Sequence, residues 1–160
     1  MKNNATFTFS ASKYGTILPL TWKEAQRSCR AAYARAHLVE IFNQEQQEYM
    51  VMKAKEISEL TNARPSNNIP YGLPRNWWIG LTDEYSEGRF YWPYSLKEVN
   101  FTAWARGPEA PKNDLNLNYV HLSLNADYQW SNVNDFGNGG ENAEFTIHNS
   151  PICQLILTEQ

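Results

Sequence analysis

The chain has 160 residues, of which 42% are hydrophobic and 14% aromatic, so it has enough apolar bulk to bury one substantial core. Its formal net charge of −3 comes from scattered acidic and basic residues, which excludes the positive field that binds a nucleic-acid backbone. No stretch reaches the roughly 20 apolar residues that cross a bilayer, and the start of the sequence lacks the apolar run of a signal peptide. We therefore expect a single domain over residues 1–160 and no membrane insertion.

A strand and a helix are predicted first along the chain. Residues 6–10 alternate apolar and polar side chains, as a half-buried strand does. Thr21 and Glu24 form a capping box, in which the hydroxyl and the carboxylate satisfy the first free backbone N–H groups of a helix. Apolar residues then recur at helical spacing, which places Cys29 on the inward face of a helix that ends near residue 36.

A short strand and a second helix follow. Residues 37–41 are rich in residues that favour β structure. Asn43 followed by Gln46 predicts the start of a helix that extends to about residue 60. Its buried stripe is expected to comprise Met50, Val51, Ala54 and Ile57. Residues 61–75 are dense in Pro, Asn and Gly and predict an ordered loop.

The second half of the chain predicts a sheet. Five short segments are rich in β-branched or aromatic residues, namely residues 77–82, 88–92, 119–124, 128–133 and 151–157. Two long polar segments, residues 105–118 and 134–150, separate some of these strands. Long irregular segments in a small domain are often functional, so these two are the first places to look for a binding site.

Cysteines, sequons and histidines limit the compartment and the chemistry. Cys29 and Cys153 are compatible either with buried thiols in a cytosolic protein or with one disulfide in an exported protein. Glycosylation sequons at Asn4 and Asn100 favour export. The three histidines lie far apart in the sequence and accompany no nucleophile or acid at a catalytic spacing, so we expect no enzyme. They are His37, His121 and His148.

Two of these histidines have simple structural interpretations. His37 lies within a short β-rich motif, and we expect it to be a structural residue. His121 alternates with Val120 and Leu122 on a predicted strand, so we expect its ring to be exposed to solvent on one face of the sheet.

Several motifs, in a fixed order, resemble the C-type lectin-like domain family. They are Thr21-Trp22-Lys23-Glu24-Ala25 through Cys29, Ala36-His37-Leu38-Val39, Trp78-Ile79-Gly80-Leu81, Glu87-Gly88-Arg89-Phe90-Tyr91-Trp92, Phe101 to Trp104, and Pro151-Ile152-Cys153-Gln154. The resemblance covers a core from about Phe7 to Leu157. It implies an α+β fold in which two helices pack on short, mostly antiparallel sheets that carry long irregular binding loops.

The resemblance also implies disulfide chemistry and location. It pairs Cys29 with Cys153, and it implies a secreted or extracellular glycoprotein. Tyr119 and about Asp135 occupy the positions of the family's inner disulfide, which is therefore missing here. The large apolar residues of the motifs are core residues in physical terms, and Gly80 is expected where a side chain would block close packing.

Sugar-binding members of the family hold calcium with residues flanking a cis-proline, a further acid, and a Trp-Asn-Asp triplet. Aligned on Pro111, the flanking positions hold Ala110 and Lys112, and the further acid falls on Leu117 or Asn118. The triplet is replaced by Trp130-Ser131-Asn132. Calcium prefers six to eight oxygen ligands, so this alignment predicts a degenerate site.

A shifted alignment offers weak calcium candidates in Glu109, Asp114 and Asn132. The predicted ligand-binding residues, with or without calcium, are Glu109, Lys112, Asn113, Asp114, Asn116 and Asn132. No cofactor is expected to bind tightly.

The resemblance leaves more than one function open. The first hypothesis is non-catalytic recognition of a glycan or glycoprotein, with Tyr128 or Trp130 as an aromatic platform. The alternative is a module that binds a protein surface without calcium or sugar, which the lost carboxylates favour. An ice- or mineral-associated protein would need a flat repetitive surface, and the sequence shows no repetition.

Overall fold

The computed structural model describes residues 4–9, 21–32, 34–62, 75–105, 111–136 and 148–157. Two helices are present in these ranges, α1 (Trp22–Ala32) and α2 (Gln44–Asn62). The strands are β1 (Asn4–Phe9), β2 (His37–Leu38), β3 (Arg75–Thr82), β4 (Tyr91–Trp92), β5 (Lys97–Glu98), β6 (Tyr119–Ser123), β7 (Gln129–Val133) and β8 (His148–Leu157). Most of the predicted loop at residues 61–75 lies outside the described residues.

Both helices begin where the sequence predicts. Thr21 Oγ1 accepts the backbone N–H of Glu24, and the Glu24 carboxylate accepts the N–H of Thr21, which is the reciprocal capping box. Asn43 Oδ1 caps α2 by accepting the N–H of Gln46. The predicted end of α1 near residue 36 was too late, because the helix ends at Ala32 and Arg35 adopts a φ of 66° that cannot continue it.

The strands form the mostly antiparallel arrangement that the resemblance implied. β8 pairs antiparallel with β1 and β2 and parallel with β3. β3 also pairs antiparallel with β4 and with β6; β4 in turn pairs with β5, and β6 pairs with β7. β5 was not predicted, because its two exposed charged residues carry no apolar alternation and the strand depends on its pairing with β4.

The core lies on both faces of β3. Trp77, Ile79 and Leu81 pack into a large cluster with Trp92 and Trp130. Trp78 faces a second cluster that contains Trp22, Tyr119 and the two cysteines. The sequence interpretation of the motif residues as core is therefore confirmed, although Trp104 is only partly buried at the edge of the large cluster.

The disulfide joins α1 to β8. Cys29 and Cys153 are bonded, with their Cα atoms 5.4 Å apart and 124 positions apart in the sequence. Closing so long a loop in the unfolded chain removes conformational freedom worth about 4–5 kcal/mol in the chain-entropy model. The pairing implied by the resemblance is confirmed.

His121 corrects one expectation. Its side chain is 3% exposed rather than solvated, and Oδ1 of Asn149, on β8, contacts its Nδ1 atom. Trp78 packs beside the imidazole. Burial lowers the pKa of His121 to about 4, so the ring is neutral at physiological pH and serves the core. His37 is also buried, as expected of a structural residue.

Gly80 allows two backbone segments to approach closely. Its N–H donates to the Val39 carbonyl at 2.8 Å, and a Cβ at position 80 would lie 2.8 Å from the Leu38 carbonyl oxygen. Both neighbours are backbone atoms of the β2 region and cannot rotate away. The close approach expected of this glycine is confirmed.

We predict that Gly80→Ala lowers the free energy of unfolding by about 2–3 kcal/mol, because the added methyl group overpacks fixed backbone. Gly88→Ala is the matched control: Gly88 has a φ of 80° but open space around its Cβ position, so only a backbone cost of about 1 kcal/mol is expected. Urea unfolding of both variants checks the prediction, and equal losses would contradict it.

Candidate functional site

The long loop beside β6 and β7 carries the predicted ligand-binding residues. Its described part, residues 111–118, is held at its far end by backbone and hydroxyl contacts with β3. The Asn118 carbonyl accepts both the Thr82 hydroxyl and the backbone N–H of Asp83. Glu109 and Ala110 lie outside the described residues, so the prediction for Glu109 stays a prediction.

Asn132 fixes the near end of this loop from β7. Its Oδ1 atom accepts the Lys112 N–H at 2.7 Å, and its Nδ2 group donates to the carbonyl oxygens of Lys112 and Leu117 at 2.8 and 3.1 Å. The side chain is 2% exposed. Asn132 therefore holds the loop from β7, and a direct contact between this side chain and a ligand stays a prediction.

The remaining loop residues of the predicted set reach the surface. Asn113, Asp114 and Asn116 are exposed, and Lys112 is half-buried. Asp114 Oδ1 accepts the backbone N–H of Asn116, and the Leu117 N–H donates to the Asp114 carbonyl, which together form a tight turn. The fold thus brings four predicted residues onto one short, ordered surface segment.

The prediction that Tyr128 or Trp130 forms an exposed aromatic platform is wrong. Trp130 is fully buried and donates its indole N–H to Gln47 of α2, while Tyr128 is 4% exposed and its carbonyl accepts the Gln47 side chain. Both rings belong to the large core cluster. The exposed large apolar side chains nearest in sequence to the loop and β7 are Leu115 and Phe136.

A pair of acidic side chains near the loop escaped the sequence analysis. Asp83 is 1% exposed, and its Oδ2 atom accepts the Gly88 N–H while Oδ1 has no hydrogen-bond partner. Glu87 Oε1 is likewise buried and unpartnered. The i, i+4 spacing of two acids in a turn that follows a core strand was the available signal; Glu87 was considered only as part of a fold motif, and Asp83 was not considered.

Burial controls the protonation of this pair. Desolvation raises the pKa of Asp83, although the Gly88 amide opposes the shift. Desolvation also raises the pKa of Glu87, and the negative charges of Asp83 and Asp114 add to the effect. Holding both carboxyl groups in their charged form at neutral pH therefore lowers the stability of the folded protein.

An aromatic stack occupies the place of the missing inner disulfide. The rings of Trp22 and Tyr119 stack with centroids 4.9 Å apart, and Tyr119 pairs with Val133 across β6 and β7. The Trp22 N–H donates to the Asp135 carbonyl. Both positions that the family uses for the disulfide are thus tied to the start of α1 by noncovalent contacts.

Calcium does not fit the long-loop residues that the structure describes. The Asn132 oxygen is already committed to a backbone N–H, its amide nitrogen faces two carbonyl oxygens, and Lys112 replaces a ligand with a cation. No group of three or more His, Cys, Asp or Glu side chains within the described ranges is arranged to hold a metal ion. The degenerate calcium site predicted from the alignment stays a prediction.

Comparison with known proteins agrees with the fold. The family model of the Lectin C-type domain matches residues 18–137. C-type mannose receptor 2 from Homo sapiens is 29% identical over 91 residues, which cover 57% of this chain but 5% of that receptor. The Rattus norvegicus receptor of the same name is 28% identical over 91 residues. The chain thus spans a small fraction of the length of the curated relatives it matches.

Solved structures share the fold at low sequence identity. The C-type lectin CEL-I from Cucumaria echinata has a TM-score of 0.67 and 18% identity, covering 99% of this chain and 94% of that one. The mouse scavenger receptor C-type lectin carbohydrate-recognition domain has a TM-score of 0.63 and 18% identity, covering 98% and 91%. Herring type II antifreeze protein has a TM-score of 0.64 and 22% identity, covering 99% and 95%.

The two helices that the structure describes differ from membrane-spanning helices. Neither α1 nor α2 combines the length and the apolar character that a bilayer-spanning helix needs.

We predict that Asn132→Asp destabilises the protein by about 2–3 kcal/mol in chelator, because a carboxylate oxygen would face two carbonyl oxygens where an N–H donor now bonds them. Added calcium should recover part of the loss by taking the place of the lost donors. Thermal unfolding with chelator and with calcium measures both effects. Asn132→Ala, which removes the amide without adding charge, should be destabilised equally in both buffers; a calcium response of this control would contradict the interpretation.

The acidic pair generates a pH prediction. Folding raises the pKa of Asp83, so the native state binds its proton more tightly than the unfolded chain does. The contribution of Asp83 to the free energy of unfolding therefore falls as the pH rises above the ordinary pKa value of 3.8. Asp83→Asn removes this loss, and its stability relative to the parent should increase as pH rises from about 4 to 7.

Chemical unfolding at several pH values tests this trend. Chelator is present throughout, because a cation bound by the carboxylates of Asp83 and Glu87 would mask the pH trend. Glu45→Gln, at an exposed acid in the first turn of α2, is the control variant. A difference between Asp83→Asn and the parent that stays constant with pH would overturn the assignment.

Proposed function

The chain belongs to the Lectin C-type domain family, and from this premise we propose that it is a non-catalytic recognition domain that binds a glycan or glycoprotein through its long loop. The proposed contacts are made by Lys112, Asn113, Asp114 and Asn116, without a tightly bound calcium ion. Asn132 positions these residues from below.

The observation that supports this proposal is an exposed polar loop that the buried side chain of Asn132 holds through hydrogen bonds. Three neighbouring polar residues are exposed on a turn whose two ends are fixed by hydrogen bonds to β3 and β7. Amide and ammonium groups donate hydrogen bonds and a carboxylate accepts them, which suits the alternating donors and acceptors of sugar hydroxyls. Fixing the loop before binding reduces the entropy that the ligand must offset.

The same contacts suggest that ligand binding does not require a metal ion. In the described part of the loop, the amide of Asn132 bonds the backbone groups that a central cation would otherwise organise. We therefore expect recognition to persist in chelator. Glu109 is retained as a proposed ligand contact at the start of this loop.

The remaining proposed properties concern chemistry and location. Of the three histidines, His37 and His121 are buried in the fold, which supports a non-catalytic domain. A disulfide supports a secreted or extracellular location. Asn100 is exposed and is proposed, with Asn4, as a glycosylation site.

A second candidate function is recognition of a protein surface. Leu115 is 74% exposed at the tip of the loop, and Phe136 is 62% exposed just after β7. Exposed apolar side chains beside polar ones are typical of protein interfaces, and the buried platform rings weaken the case for sugar stacking. The fold itself is shared by a protein described as an antifreeze protein, so it does not decide between ligands.

A glycan array probed with the parent protein, in calcium and in chelator, tests the proposed function. We expect binding in both buffers. Asn113→Ala and Asn116→Ala should each weaken the best glycan by about tenfold, since each removes a fixed polar contact worth about 1.4 kcal/mol. Asn125→Ala, an exposed amide in the turn between β6 and β7, is the matched control and should bind normally.

Each outcome of this array decides a specific point. Binding that disappears in chelator would show that a calcium site operates and that the amide-supported loop is insufficient. No glycan bound in either buffer, with unchanged thermal stability of all variants, would reject the glycan proposal and favour the protein ligand.

A further inference from the structure

A groove away from the long loop lies between the turn after β3 and the β4–β5 hairpin. It has a volume of about 390 Å³. Tyr85 and Leu96 line it, together with Tyr91 and the charged side chains of Arg89, Lys97 and Glu98. No role for this surface follows from the long-loop proposal.

The two apolar side chains of the groove are the most exposed large hydrophobic residues that the structure describes. Tyr85 is 81% exposed and Leu96 is 85% exposed. The ring of Tyr85 lies at 5.3 Å from that of Tyr91, which leaves most of the Tyr85 ring in solvent. Together they form an apolar patch on a polar surface, which is typical of an interaction site.

Leucine at position 96 is costly in two ways. Its φ of 59° is in the left-handed region, where glycine or asparagine is favoured and a branched side chain is strained. Its side chain also gains almost no burial in this chain. Neither backbone preference nor packing accounts for a leucine here, so the residue points to a contact outside the chain.

The hairpin presents Leu96 rigidly. The Glu40 carboxylate accepts the backbone N–H groups of Tyr94 and Ser95 at 3.1 and 3.4 Å. The ring of Tyr94 stacks on His37, with centroids 3.7 Å apart. The turn is thus fixed to the buried segment after β2, and its exposed tip is already ordered before any partner binds.

The charges around the groove specify the partner further. Arg89 pairs with Glu98, but their side chains are 70% and 73% exposed, so the pair contributes little stability and can exchange partners. Lys97 adds a second cation at the rim, and its amine lies 5.1 Å from the Phe42 ring. Two cations and one carboxylate leave the rim positive, which complements an acidic residue of a partner.

We propose that this groove docks a protein partner that inserts an apolar side chain between Tyr85 and Leu96 and places a carboxylate against Arg89 and Lys97. Exposed tyrosine and arginine beside a small cavity are residue types that often contribute most of the binding energy at protein interfaces. The proposal is independent of glycan binding by the long loop.

A library of random peptides displayed on phage provides the probe. The parent protein is used for selection and Leu96→Gly for counter-selection. We expect enriched peptides that combine a large apolar residue with a neighbouring Asp or Glu. A representative synthetic peptide should lose at least about tenfold in affinity with Leu96→Gly and with Tyr85→Ala. Arg89→Gln should weaken binding and reduce its salt dependence.

Leu96→Gly separates a docking role from a structural one. Because glycine relieves the positive φ, this variant should unfold at a temperature higher by roughly 2–4 °C while losing the peptide. Asn113→Ala, on the long loop, should bind the peptide normally. A less stable Leu96→Gly variant would show that Leu96 serves the fold.

Other outcomes would overturn the proposal in identifiable ways. Failure to enrich peptides that discriminate the parent from Leu96→Gly would reject it. A glycan whose binding is lost in Tyr85→Ala but kept in Leu96→Gly would assign the groove to sugar. Dimers of the parent in sedimentation velocity, absent in Leu96→Gly, would assign it to a second copy of this chain.

Discussion

The close contact between Gly80 and the backbone of residues 38 and 39 organises the rest of the molecule. It brings β3 against the segment between the two helices, so that β3 is buried on both faces. One face contributes Trp77, Ile79 and Leu81 to the large core, and the other directs Trp78 at the disulfide cluster. The indole N–H of Trp22 donates to the Ile79 carbonyl and joins α1 to the same strand. A side chain at position 80 would separate the layers from which the loops project.

The parts of the fold that depend on local chemistry could be predicted from the sequence. The capping box at Thr21, the cap at Asn43 and the dense apolar motif of β3 each follow from short-range rules, and the structure agrees with them. Strand β5 and the burial of His121 could not be predicted in this way. The first depends on hairpin pairing between charged residues, and the second depends on coverage by Asn149, which lies 28 positions away.

The candidate site was predictable in its location but not in the role of each residue. Polar composition and alignment indicated the segment around Lys112 to Asn116, which is exposed. The supporting role of Asn132 could not be predicted, because the sequence cannot show that its amide meets backbone groups 15 and 20 positions away. Tyr128 and Trp130 were offered as an aromatic platform, although core packing was favoured for Trp130, because their contacts with Gln47 of α2 are long-range. Glu87 was considered only as part of a fold motif, and Asp83 was missed because its burial depends on the tertiary structure.

The amide of Asn132 affects the range of pH and calcium concentration over which the loop keeps its conformation. A loop organised by a divalent cation comes apart when free calcium is scarce or when acid protonates the ligands. An amide does not titrate and needs no metal ion, so the hydrogen bonds from Asn132 to residues 112 and 117 are expected to persist in acid or at low free calcium. If the loop binds its ligand as proposed, the complex should therefore persist under conditions in which a metal-dependent site would lose its ligand.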